Sequence, residues 1–152
     1  MKKVIVLVAM FGLGLMKGQT LNSKGLYEDN DGALFNGVVS QVQNGTRTEL
    51  QVKEGVIEGQ ADYYYASGRL METGYFHLGQ KDRKWTRYAE NGNVIAIGFY
   101  NLGKKTGTWL VFDEKGHKRF EMNYLDGAKT GIWTNWDEQG EIVSTVDHSK
   151  LN

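Results

Sequence analysis

The 152-residue chain has no cysteine and no proline. Without cysteine there is no disulfide, no thiolate nucleophile, no cysteine-held zinc and no cysteine-linked lipid. Proline is the residue that cannot donate to a strand ladder, so its absence leaves long ladders possible. Histidine is scarce: His77, His117 and His148 are the three. None of them pairs at a helical metal-ligand spacing, so they read as solvent-exposed loop residues and no metal site is expected. No Ser–His–Asp order, phosphate-binding loop or dinucleotide fingerprint occurs. Acids recur at Asp113, Glu114, Asp137 and Glu138. Glycoside hydrolysis would need two carboxyls about 5–10 Å apart across a cleft; turn propensity and solubility account for these acids better. The reading is a non-enzyme with no catalytic residue and no cofactor.

Charge is also lacking in sign. Basic and acidic residues balance at 18 each. The densest basic spots, Lys81–Arg83–Lys84 and Lys104–Lys105, lie where turns are expected and read as solvated turn charge. Nucleic-acid binders concentrate basic residues on one surface, so no nucleic-acid partner is expected. Apolar residues at 40% and charged residues at 24% suit one folded domain.

The N-terminus reads differently from the rest. Lys2 and Lys3 precede an apolar run from Val4 to Met16. That run is shorter than the ~20 residues a bilayer span needs, and it fits a signal peptide over 1–18, cut between Gly18 and Gln19. The expected product is an exported protein, periplasmic or extracellular, with no integral membrane segment after cleavage. It would carry 15 basic and 18 acidic residues.

What the chain has in quantity is glycine, 20 residues, and it is spaced. Trp85, Trp109 and Trp133 recur at intervals of 24 residues, in step with Gly79, Gly103 and Gly127 and with Gly92, Gly116 and Gly140. Phe76, Tyr100 and Tyr124 keep the same period, and Gly68 extends the second glycine series backwards. A fixed period in this range marks a repeat architecture. A short lead (19–26) precedes a repeat domain over 27–148, with units at about 27–55, 56–79, 80–103, 104–127 and 128–148, and a tail at 149–152. Terminal units are expected to be degenerate because they cap the stack.

Each unit holds two short β-forming runs bounded by glycine turns, as in Thr108–Phe112 and Arg119–Tyr124. No such run lasts the ~10–12 residues of a helix. The expected fold is all-β: a single-layer antiparallel β-meander of tandem 24-residue β-hairpins. An Asn91–Gly92 turn of two residues, type I′, would place Trp85 opposite Gly98. A symmetric longer turn over 101–108 would place Tyr100 opposite Trp109, with Tyr124 opposite Trp133 and Phe76 opposite Trp85. The competing register, a three-residue loop with a glycine bulge, would shift each following strand by one residue. In the favoured register one face carries Phe76, Trp85, Gly98, Tyr100, Trp109, Met122, Tyr124 and Trp133. The other mixes Tyr88, Ile95, Ile97, Phe99, Leu110 and Phe112 with Arg119, Glu121, Asn123 and Thr134.

The unit Tyr100-x-x-Gly103-x-x-x-Gly107-x-Trp109-x-x-Phe112-x-x-x-Gly116 resembles the MORN-repeat variant of bacterial proteins, including an antitoxin-like, YwqK-type family. The resemblance covers about 27–148, with Gly32 to Gly37 leading into the first unit. It implies serial β-hairpins and a role in interaction, with no catalytic residues. The candidate binding stripe is Phe76, Trp85, Tyr100, Trp109, Tyr124 and Trp133. Gly68, Gly79, Gly92, Gly103, Gly116, Gly127 and Gly140 are structural turn residues. The expected function is a noncatalytic scaffold for a protein partner. The alternative is a carbohydrate or cell-envelope module that lays polysaccharide on the stripe, since aromatics are enriched at binding surfaces.

Overall fold

The computed structural model describes residues 19–149. The expected signal peptide and residues 150–152 of the tail lie outside them. The expected lead forms β1 (Thr20–Leu21), which pairs with β2 (Tyr27–Glu28). Ten further strands follow: β3 (Gly37–Gln43), β4 (Thr46–Lys53), β5 (Val56–Tyr64), β6 (Leu70–His77), β7 (Gln80–Tyr88), β8 (Val94–Asn101), β9 (Lys104–Phe112), β10 (Lys118–Leu125), β11 (Ala128–Trp136) and β12 (Ile142–Asp147). They make one antiparallel sheet in sequential order, β3 at one edge and β12 at the other. There is no helix among the described residues. The expected single-layer meander of hairpin repeats is what the chain builds.

The two glycine series make two kinds of turn, with roles opposite to those expected. Leu78–Gly79, Leu102–Gly103 and Asp126–Gly127 have positive φ at both residues, the requirement of a two-residue I′ turn. Asn101 and Lys104 face each other across the middle one. At 89–93 the loop is instead three residues long. Gly92 donates to the Ala89 carbonyl at 2.9 Å, and Ala89 donates to the Asn93 carbonyl at 2.8 Å. Gly92 alone takes positive φ there, at 91°, so Asn91–Gly92 is not a I′ turn. The same loop recurs at 65–69, 113–117 and 137–141. Asp113 and Asp137 close theirs, each Oδ1 accepting two backbone amides at 2.9 Å. These acids are turn braces, as their chemistry suggests.

Trp85 nevertheless stands opposite Gly98, as expected. The three-residue loop shifts the ladder by one residue, and a bulge shifts it back: Tyr88 pairs with Val94 but Arg87 with Ala96, leaving Ile95 extra on β8. The expected pairings across the I′ turns do not form. Tyr100 faces Lys105, Tyr124 faces Lys129 and Phe76 faces Lys81. The cause is the tight turn itself: with two residues at Leu102–Gly103, Asn101 pairs with Lys104 and Tyr100 with Lys105. Beyond that point a wider irregularity recurs once per unit. Phe99 pairs with Thr106 but Ile97 with Leu110, so β9 advances four residues while β8 advances two. Positive φ at Gly107 makes this possible, and Gly59, Arg83 and Gly131 repeat it at the equivalent positions. Shifts of one residue would swap faces; this shift of two preserves them, so the aromatic set still shares one face.

The core lies at the N-terminal end. Tyr27, Val39 and Val52 are buried together, with Leu21, Phe35 and Ile57 against them. Leu50, Ala61 and Trp85 form a second cluster, joined to the first through Ile57. The β1–β2 segment thus covers this end of the aromatic face, supplying the second layer that a lone sheet lacks. The amides of Tyr27 and Gly55 tie it down by donating to the Gly55 and Phe35 carbonyls.

Candidate functional site

The six stripe residues do come together. Phe76 meets Trp85 edge-on at 5.3 Å between ring centroids, and Trp85 meets Tyr100 at 6.2 Å. The chain of rings continues through Trp109 at 5.1 Å, Tyr124 at 5.7 Å and Trp133 at 5.2 Å. Such edge-to-face pairs contribute about 0.5–1.5 kcal/mol beyond their buried area. Two members escaped the sequence reading. Tyr63 joins Trp85 at 6.1 Å, and His148 closes the row against Trp133 at 4.7 Å. His148 is half-buried rather than a solvent-exposed loop residue. The signal was available, since His148 sits one period after Tyr124.

Each indole is fixed by the strand before it. Trp85 Nε1 donates to the Tyr75 carbonyl at 3.2 Å, Trp109 Nε1 to Phe99 at 3.2 Å and Trp133 Nε1 to Asn123 at 3.0 Å. Beneath the first two rings lies glycine. A Cβ at Gly98 would come within 2.6 Å of the Trp109 ring, and one at Gly74 would overlap Trp85 outright. Only a residue without a side chain permits that approach. At the third rung Met122 takes the place of glycine on the strand facing β9.

The outer side of each ring is occupied too. Lys81 Nζ lies 3.5 Å from the Trp85 centroid, Lys105 Nζ 4.3 Å from Trp109 and Lys129 Nζ 4.4 Å from Trp133. Cation–π contacts of this kind contribute roughly 0.5–1 kcal/mol where exposed. Lys81 and Lys105 are therefore strand residues stacked on rings, and not the free turn charges expected of them. Lys81 also pairs with Glu72 at 3.0 Å.

Burial tunes the phenols of the same face. Desolvation, with smaller contributions from Glu72 and Tyr27, pushes the Tyr63 hydroxyl up to about 12. Desolvation also raises Tyr100, with Glu72 and Tyr124 adding to it. These are passive shifts: a phenol held protonated well above neutrality has no acid–base role at physiological pH. On the reverse face a shallow cavity of about 280 Å³ is lined by Asn93, Val94, Ile97, Phe112, Lys115 and Gly116. It contains no carboxylate or imidazole.

Among the described residues no three His, Cys, Asp or Glu side chains gather as metal ligands. His77 pairs with Glu58 at 2.9 Å from an exposed strand position, and His117 with Asp113 at 3.3 Å. No helix there is long and apolar enough to cross a membrane. Residues 84–102 and 105–126 match the MORN repeat variant. The match supports a MORN-repeat assignment. No curated protein matches the chain. The matched MORN segments run from within β7 to β10, including the whole Trp109–Lys105 rung and Trp85 of the one before it, and their recurrent residues are structural aromatics and glycines. This supports a repeat module of the kind consistent with protein-interaction scaffolding.

Proposed function

We propose that the chain is an exported scaffold whose repeats present a sheet to a protein partner. The observation that carries it is β12. All six of its residues are exposed, and Ile142, Val143 and Val146 are 61%, 60% and 50% accessible, with Ile132 beside them at 56%. An apolar edge strand without proline or lysine is a template for an added strand. Strand addition is a general mode of peptide recognition, the backbone giving affinity and alternate side chains giving specificity. Export rests on the basic start and apolar run of residues 1–18. The bacterial YwqK-type grouping rests on the unit pattern over 100–116 and carries no toxin partner with it.

Capture from envelope and extracellular fractions, followed by direct titration of the purified captured protein, tests this reading. Binding should be lost in Ile142→Lys/Val143→Lys while the circular dichroism spectrum is kept. Equal binding by that variant would remove β12 from the reading, and capture of polysaccharide alone would sink the protein scaffold.

A further inference from the structure

The 24-residue period places one ammonium group on the aromatic face of β7, β9 and β11. Lys81, Lys105 and Lys129 stand two strands apart, a pitch of about 10 Å. Their surroundings separate them from ordinary surface lysines. On the reverse face Arg47 pairs with Glu49 and Lys118 with Glu121. On the aromatic face Glu72 pairs with Lys81 and also stands opposite Arg87. Lys105 and Lys129 have no carboxylate partner among the described residues, and each is held by its tryptophan alone or with a tyrosine. The Tyr100 and Tyr124 hydroxyls, between the lysine-bearing strands, make no hydrogen bond to the described residues.

We propose that this row binds an acidic polysaccharide carrying one carboxylate per disaccharide, a role beyond the protein contact at β12. Three features select the ligand. The row is periodic, one lysine on every second strand, so it fits a polymer with periodic charge. Its pitch is comparable to the length of a disaccharide, whereas DNA places a phosphate every ~3.4 Å along each strand. Stacking is closed off as well. Single-stranded nucleic acids and neutral sugars need open aromatic faces, and here each indole has backbone or Met122 below and an ammonium above. What remains to contact a ligand is the ammonium groups of Lys105 and Lys129, with Lys81 shared with Glu72 at the end of the row, and the phenol hydroxyls between them. Carboxylates would take the ammonium groups, and sugar hydroxyls the phenols.

Affinity electrophoresis of the full-length chain in gels containing hyaluronan, which has one carboxylate per disaccharide, tests the assignment. Hyaluronan should retard the chain and neutral dextran should not. Retardation should weaken as sodium chloride rises from roughly 0.05 to 0.2 M, because exposed charge contacts are screened. Lys105→Gln/Lys129→Gln should lower affinity about tenfold, near threefold per exposed contact, with the circular dichroism spectrum kept and only the small loss of stability that two cation–π contacts carry. Lys105→Arg/Lys129→Arg should stay within about twofold of the parent, since the charge is kept. The proposal is overturned by any of four results: no retardation by hyaluronan, equal retardation by dextran, tighter binding of oligothymidylate, or a glutamine variant that binds like the parent.

Discussion

The two ends of this sheet are built from related units and are packed differently. At the N-terminal end Tyr27, Val39, Leu50, Val52, Ala61 and Trp85 are buried, Val39 and Ala61 completely. Beyond Gly98 no described residue is buried, and β12 is exposed along its whole length. The indole hydrogen bonds recur in both regions; the first hairpin differs in its two-residue Asn44–Gly45 turn and bulge-free β3–β4 ladder, but neither feature adds cover to a face. The difference is the second layer. β1 and β2 lie over one end of the face and complete a core, while the C-terminal rungs are covered by their own lysines and, at Trp133, by His148. Repetition builds the sheet; the cap decides where it is solid.

The sharpest way to break this comparison is to truncate the same residue at both ends. Trp85→Ala should cost about 3–5 kcal/mol, the range for a fully enclosed aromatic. Trp133→Ala, half-exposed, should cost about 1–2 kcal/mol on its smaller buried area. Equal losses in urea unfolding would show that the two ends are equivalent after all. Adding one methyl under the rings gives a smaller contrast. Gly74→Ala should cost roughly 2–3 kcal/mol, because Trp85 is hemmed in by Tyr63, Phe76 and Tyr100, and Gly98→Ala only about 1 kcal/mol, because Trp109 can tilt outwards. A crystal structure of Gly98→Ala with an unmoved indole would contradict that explanation.

Smaller still is a gain. Leu102 holds φ at 45° in a I′ turn while 45% exposed, a conformation that side chains resist and asparagine tolerates. Leu102→Asn should raise stability by about 0.5–1 kcal/mol, read as a shift in the urea midpoint. Last, the solid end should be sensitive to alkali. Tyr63 has its pKa raised from 10.0 to about 12 in the folded chain. A group whose folded pKa is raised contributes stability that is complete below the unfolded value and lost as pH climbs through the folded one. Stability should therefore fall between pH 10 and about 12, with Tyr63 among the late-titrating tyrosines in near-ultraviolet absorbance. Tyr63→Phe should abolish that part of the decline.

The sequence exposes the hairpins and the shared aromatic face because both follow from period and alternation, which survive local error. It hides the turns. Asn91–Gly92 has the I′ signature but closes a three-residue loop, and Leu78–Gly79 and Leu102–Gly103 are I′ turns with a residue poorly suited to them. The Asp-x-x-Gly pattern at Asp113 and Asp137 was the better guide, because its carboxylate bonds only in the longer loop. Trp85 opposite Gly98 came out right because the loop and the Ile95 bulge offset each other. Tyr100 opposite Trp109 came out wrong because Leu102–Gly103 closes a two-residue turn in place of the longer one expected, which sets Lys105 against Tyr100. Arg83, in the left-handed region where its three counterparts are glycines, shows why spacing alone could not reveal the bulge. The lysines were misread for the same reason. Placed in turns they are free charges, and once Lys81 and Lys105 fall inside strands they cap rings.

Because every strand of the main sheet bonds only to its neighbours in sequence, the chain has a mechanical polarity. Pulled from its C-terminal edge, it should peel one strand at a time, each step breaking a single ladder and leaving the rest in place. Resistance should rise as the tear approaches Trp85, where the cap and both clusters must yield together. Such a sheet gives way gradually at one end and abruptly at the other.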